Sequence, residues 1–284
     1  MILFRAYWAL GPSTMHERGI VTLCDSNYYP GLLSLHASVQ ASLPIPVLCY
    51  DIGLSSVQRE EAAKIHNLEI LALPDDPLIE ALRIGTSDCT PLKKPNKRIW
   101  PLWICPLLIR AAPAIELFWL DCDLVVLRDL DILFGFLDDG PVLTPENKAP
   151  HATPNSPRLY ELMPIARSFD PVLPTLNAGV SGWRRGRDDA ALAAYIAPIA
   201  RAAHDDELRG AIAWHDQGAL IWAVQSLGIE DRVLSDWRFN LCVDHVLDRL
   251  DGVIWDVDIA ERLRPLLPDV AVLHWNGLKA PWLD

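Results

Sequence analysis

The feature that most constrains the fold is an alternation of short apolar runs with helix-like stretches near the start of the chain. Gly19-Ile20-Val21-Thr22-Leu23-Cys24 reads as a buried strand broken by Asp25-Ser26-Asn27. A helix is expected from about Tyr29 to Ala41, then a second strand from Pro46 to Tyr50, closed by Asp51. Ser55 to His66 reads as a helix, with Ser55 or Ser56 as its cap and acids in its first turns. Leu68 to Leu73 is a third strand. Parallel neighbours need a crossover that a helix supplies, so this order predicts βαβ units. The expected class is α/β, with a mixed, mostly parallel central sheet flanked by helices.

The 284 residues suit one large α/β domain with a sizeable core. Residues 19–284 are taken as that single domain and residues 1–18 as an N-terminal extension, with Met15 an alternative start. MILFRAYWALGPSTMHERG lacks the form of a signal peptide, because its apolar stretch is short and broken by Arg5. No run of about 18 apolar residues occurs, so no transmembrane segment is expected. Six cysteines stand at positions 24, 49, 89, 105, 122 and 242 without a Cys-x-x-Cys pair, which argues against zinc. Several lie in apolar runs, where a free thiol acts as a small hydrophobe, and the expected location is cytoplasmic.

Acids outnumber bases 37 to 25, a formal charge of −12. A chain that holds DNA or RNA through its overall field is basic, so nucleic acid is not an expected partner. An anionic small ligand would need a metal or a local cluster of cations. Such a cluster stands between residues 85 and 101, where Lys93, Lys94, Lys97 and Arg98 gather.

Farther along, Trp103 to Ala112 predicts a helix that would hold Pro106 best in its first turn. Ile115 to Leu120 is an apolar strand ending at Asp121-Cys122-Asp123. Leu130 to Leu137 reads as a short helix, 141–174 as loop, and Thr175 to Trp183 as a segment with a strand at its end. Helices are expected from Arg187 to about Ala203 and from Asp216 to Leu227, with a final strand from Val270 to Leu273.

Asp121 and Asp123 follow a fully apolar strand, at the end where open α/β sheets bind ligands. Carboxylates at i and i+2 of an extended segment point the same way and repel unless a cation holds them. Oxygen donors suit Mg²⁺ or Mn²⁺. The same spacing recurs at Asp129/Asp131 and Asp256/Asp258, where turn or helix-cap roles explain it, Asp258 as an N-cap. His274 ends the last strand. It is either a structural histidine or a third ligand, and an imidazole added to two carboxylates favours Mn²⁺. Asn177-Ala178-Gly179 is either a plain turn or small residues that let a ligand approach an Asn amide. Asp216-Gln217 stands at a helix start, with Asp216 either an N-cap or a binder of sugar hydroxyls. Asp25 and Asn27 end the first strand, a nucleotide-binding position in such sheets, though no Gly-x-Gly-x-x-Gly follows.

Taken in order, these segments resemble glycosyltransferase family 8. The resemblance rests on Asp-x-Asn-Tyr, Asp-x-Asp, Asn-Ala-Gly-Val, Asp-Gln and a terminal His-x-x-Gly with Pro281-Trp282, and spans about residues 19–284. It implies a GT-A fold, a nucleotide-sugar donor (usually UDP-linked), Mn²⁺ and retention at the anomeric carbon. By the same resemblance, Asp121, Asp123 and His274 are the metal ligands, with Asp121 also near the ribose. Asp25 and Asn27 lie near the uridine, and Asn177 and Ala178 line the donor sugar. Asp216 and Gln217 hold that sugar beneath its anomeric carbon, and Gly277 belongs to the phosphate-binding loop.

Two departures stand out. The family pattern His-x-x-Gly-x-x-Lys-Pro-Trp has its Lys one place early here, at Lys279, with Ala280 in its position. Many relatives carry an Arg in the helix before Asp-x-Asp, where this chain has Ile104-Cys105-Pro106-Leu107-Leu108. Lys97 or Arg98 is the expected replacement. The resemblance implies a saccharide, lipid-linked or protein acceptor. Some relatives end in a basic aromatic tail, and the sequence reaches Asp284 without one, so a soluble or loosely membrane-associated enzyme is expected. The alternative is a sugar-nucleotide-binding protein of the same fold without transfer activity. A nucleotidyltransferase would need a Gly-rich basic loop after the first strand, which Asp25-Ser26-Asn27-Tyr28-Tyr29 is not.

Overall fold

The computed structural model describes residues 14–85, 100–145, 155–168, 176–251, 253 and 256–275. Lys97, Arg98, Gly277 and Lys279 fall outside the described residues.

Strand β1 (His16–Cys24) is longer than its apolar run. His16 and Arg18 already pair with Ala114 and Glu116, so the sheet takes in three residues of the stretch assigned above to an extension. Helix α1 (Tyr29–Ser42) has a proline in its first turn, where a missing N–H costs nothing. After β2 (Val47–Asp51), Ser55 caps α2 (Ser56–Ala62) in a capping box with Gln58. This helix ends before His66, and its acids Glu60 and Glu61 lie past the first turn rather than in it.

Beyond β3 (Leu68–Leu71), two helices make the crossover, α3 (Pro77–Gly85) and α4 (Pro101–Ala111). Pro101 takes the first turn of α4, so Pro106 lies inside the helix, not at its start as expected. Next come β4 (Ala114–Leu120), β5 (Leu124–Val126), α5 (Leu130–Phe136), β6 (Val142–Pro145) and α6 (Pro157–Leu162). They are followed by β7 (Leu176–Arg184), α7 (Asp189–Ala202), α8 (Asp206–Ala211) and α9 (Asp216–Leu227). The chain continues with β8 (Leu241–Cys242), α10 (Ile259–Leu266) and β9 (Val272–His274).

Asp129 and Asp258 occupy the N-cap positions of α5 and α10, but neither side chain caps a helix N–H. Asp131 pairs with Arg18, and Asp256 with Arg262.

The main sheet has six strands in the order β3-β2-β1-β4-β7-β6. β1 to β4 are mutually parallel, and β7 runs antiparallel to both β4 and β6. Alternate residues of each strand enter two different cores, as the pleat requires. Val21, Leu48, Leu117, Trp119 and Trp183 pack with α4, α7 and α9, while Ile20, Val47, Phe118, Leu120 and Val180 pack with α1 and α5. Gly182 belongs to the second face because Phe118 lies over it, where an added Cβ would be 2.5 Å from the ring. A second sheet, β5-β9-β8, buries its own cluster around Val125, Leu263 and Leu273.

One irregularity positions the site. β6 and β7 keep register from Val142↔Gly182 to Leu143↔Ser181, then jump to Thr144↔Asn177. Ala178, Gly179 and Val180 therefore have no partner on β6. The alternation flips across them: Ala178 lies in the first core and Val180 in the second. Such a bulge bends its strand and re-aims side chains.

Candidate active site

The carboxyl ends of β1 and β4, the bulge of β7 and the end of β9 converge. Asp121 follows β4 directly, and Cys122 and Asp123 form a turn into β5. The two acids are thus not in an extended strand, as their spacing suggested. What joins them to His274 is the pairing of β5 with β9, which sets Leu124 opposite His274. The backbone N–H of Trp275 donates to Asp123 O at 3.1 Å and pins the turn. His274 Nε2 lies 3.3 Å from Asp123 Oδ1 and 3.8 Å from Asp121 Oδ2.

One donor atom from each of the three residues fits within 4.8 Å of the others. Trp119 Nε1 donates to Asp121 Oδ1 at 2.8 Å, leaving Oδ2 as the atom facing His274. Behind the triad is Gly179, whose carbonyl accepts from Asp121 N at 3.0 Å. A Cβ there would stand 2.6 Å from His274 Cε1 and 2.7 Å from Asp121 Oδ2. Two carboxylates and an imidazole on such a cradle fit a divalent cation of Mn²⁺ or Mg²⁺ type.

The other expected residues surround this triad in different states. Asp25 Oδ1 accepts from the backbone N–H groups of Asn27 and Tyr28 at 2.9 and 3.2 Å, shaping the loop that leaves β1. Asn27 is exposed. Burial first, and the Asp123 charge next, raise the Tyr28 phenol well above its ordinary range. Asn177 is buried, and its Oδ1 accepts from Gly179 N at 2.8 Å, holding the bulge. Ala178 packs into the core.

Asp216 is the first residue inside α9, not its cap. The cap position belongs to His215, at φ 61° and ψ −117°, after Trp214 at φ 49°. Two non-glycine residues in the left-handed half of φ space cost energy and persist only where the surroundings enforce them. Trp103 stacks on His215 with ring centroids 5.3 Å apart. Asn155, a buried residue that belongs to no motif, accepts from Ala213 N and donates to Gly218 O.

The Asp216 side chain so presented is 8% exposed. Burial first, and the Asp121 charge second, push its pKa up to about 8. The groups that favour its ionisation are the Cys105 thiol, the Gln217 N–H and the Tyr195 hydroxyl, none of them cationic. Gln217 beside Asp216 is half-buried.

The unfolded chain would lose the Asp216 proton near 3.8, whereas the fold keeps it to about 8. The folded state thus binds more protons between these values, and stability from this group falls as pH rises through that window. Asp216→Asn is expected to flatten the decline in melting temperature between pH 4 and 8, measured in EDTA. Parallel curves for the two proteins would refute it.

No known family profile matches the sequence, and no curated protein matches it. Solved structures do. The galactosyltransferase LgtC, in complex with donor and acceptor sugar analogues, is 20% identical, with a TM-score of 0.53 over 93% of this chain and 89% of LgtC. The bifunctional glycosyltransferase WbbM is 14% identical at a TM-score of 0.55, over 96% of this chain and 48% of its own. The glycosyltransferase GlyE of Streptococcus pneumoniae is 14% identical at 0.52, over 94% of this chain and 56% of its own. Among the described residues, no helix is long and apolar enough to cross a membrane. The six-stranded, mainly parallel sheet and its flanking helices are those of the GT-A glycosyltransferase fold, the fold that the family-8 resemblance implied.

Proposed function

We propose that this chain is a retaining glycosyltransferase that moves a hexose from a nucleotide sugar, UDP-linked, to a saccharide, lipid-linked or protein acceptor. One observation carries the proposal. Asp121, Asp123 and His274, from distant parts of the sequence, bring their donor atoms within 4.8 Å at the strand ends of a GT-A sheet. LgtC, of similar fold, is described with donor and acceptor sugar analogues, which supports the same class of ligands here.

Breaking the bond between a sugar and a diphosphate leaves negative charge on the diphosphate. A Mn²⁺ (or Mg²⁺) ion held by the triad supplies electrostatic stabilisation of that charge. Asp25 and Asn27 bind the base, Asp121 also reaches the ribose, and Asn177 lies beside the sugar, with Ala178 packed behind it in the core. Asp216, whose carboxyl pKa is raised by burial first and the Asp121 charge second, would hold a sugar hydroxyl. Gln217 is neutral and a poor nucleophile. In this reading the acceptor attacks from the front face, with the leaving diphosphate taking the acceptor's proton.

Lys97 and Arg98, with Gly277 and Lys279, complete the diphosphate site in this proposal. A hydrogen bond to a charged group contributes about 1.5–3 kcal/mol. Lys97→Ala or Arg98→Ala is therefore expected to weaken UDP binding roughly tenfold or more. Unchanged affinity in both would remove them from the site.

The direct test is nucleotide release from a panel of UDP-sugars with Mn²⁺, with and without saccharide acceptors, repeated in EDTA. Release that depends on Mn²⁺ is expected. Binding without release would favour the inactive sugar-nucleotide-binding protein, and no binding would end both readings.

A further inference from the structure

A histidine ligand needs its ring aimed and its proton on the nitrogen away from the metal. His274 is 2% exposed, while Asn240 and Thr144, which lie in no motif, are fully buried. They are linked in a chain. His274 Nδ1 is 3.0 Å from Asn240 Oδ1, Asn240 Nδ2 donates to Thr144 Oγ1 at 2.9 Å, and Thr144 Oγ1 donates to Val180 O at 2.9 Å.

The direction of this chain is fixed at its far end. Val180 has no partner residue on β6, and a backbone carbonyl can only accept. The Thr144 hydroxyl gives it a proton, so its oxygen is left to accept from Asn240. That requirement orients the Asn240 amide with Nδ2 toward Thr144 and Oδ1 toward His274. An amide oxygen has no proton to give, so the proton between them belongs to His274 Nδ1. Nε2 is then the ring nitrogen that faces Asp121 and Asp123.

We propose that Asn240, seated by Thr144, is a positioning residue that holds His274 in the Nδ1–H tautomer and aims Nε2 at a divalent cation. The proposal rests on the metal reading above. The β7 bulge thereby serves the site twice: Gly179 cradles the triad, and Val180 anchors the relay. Parallel pairing of Cys242 with His274 keeps the segment after Asn240 beside β9. Partners of this kind are worth 10- to 100-fold in metal affinity.

The test uses the full chain in two measurements. Long-range ¹H–¹⁵N spectra of ¹⁵N-histidine protein loaded with diamagnetic Mg²⁺ should show His274 protonated at Nδ1 and without a proton at Nε2. Mn²⁺ titration followed by electron paramagnetic resonance should show Asn240→Leu weakened about 10- to 100-fold. Asn240→Asp, which keeps an acceptor for Nδ1–H but loses the donor to Thr144, should lose less affinity than Asn240→Leu. Melting curves establish that each variant is folded.

An Nε2–H tautomer in the wild type would overturn the proposal, as would unchanged affinity in folded Asn240→Leu. Equal losses in Asn240→Leu and Asn240→Asp would assign the effect to packing and also overturn it. If Asn240→Leu does not fold, the wild-type tautomer still decides. A wild type that binds no Mn²⁺ would defeat the metal reading itself, an outcome distinct from these.

Discussion

Asp123→Ala is expected to lower metal-dependent transfer by about a thousandfold without unfolding the protein. A cation that stabilises leaving-group charge supplies several kcal/mol at the transition state, and each 1.36 kcal/mol is tenfold in rate. Asp123 contributes one of three donors, and its Oδ1 is the carboxylate oxygen nearer to His274 Nε2, at 3.3 Å against 3.8 Å for Asp121 Oδ2. The fold depends on its backbone instead, whose carbonyl accepts from Trp275 N and survives the substitution. Removing one of two adjacent carboxylates also relieves repulsion in the metal-free state. Initial rates over a Mn²⁺ titration, beside a melting curve, check both halves. A normal Mn²⁺-dependent rate in the variant would sink the metal assignment.

Gly179→Ala is expected to damage stability and metal binding together. Its Cβ would lie 2.6 Å from His274 Cε1, 2.7 Å from Asp121 Oδ2 and 2.9 Å from Asn177 Oδ1, closer than real contacts allow. Overpacking of this kind costs about 1–3 kcal/mol, and here the atoms that must yield are two of the three ligands and the residue that holds the bulge. Gly182→Ala on the same strand provides the control. Its Cβ would meet the Phe118 ring at 2.5 Å and touch no ligand. Both variants should melt earlier, and only Gly179→Ala should lose Mn²⁺ affinity. Equal loss in Gly182→Ala would mean that the clash at the triad is not the cause.

Much of this was legible in the sequence because the parallel strands are buried on both faces. Val21 and Leu48 enter one core and Ile20 and Val47 the other, so each strand reads as a continuous apolar run. The acids at the end of Phe118-Trp119-Leu120 stand out for the same reason. The misses were short or irregular. β5 and β8 have two or three residues each, too few to show a period, yet they flank β9 and help to bring His274 to Asp123.

Asn177-Ala178-Gly179 left a plain turn and a ligand-lining role both open; it lies within β7, and only the register against β6 exposes the bulge. Asp216 was weighed as a cap because nothing local announces that Trp214 and His215 take positive φ. Asn240, Thr144 and Asn155 are single polar residues whose partners lie far away in sequence, which no spacing rule captures.

The claim that Asp121, Asp123 and His274 share one divalent ion can be tested by growing crystals with Mn²⁺ and UDP and measuring anomalous scattering at the manganese edge. One anomalous peak within coordination distance of all three side chains, with the UDP diphosphate beside it, is expected. A peak bound elsewhere, or UDP bound with no peak at the triad, would contradict it.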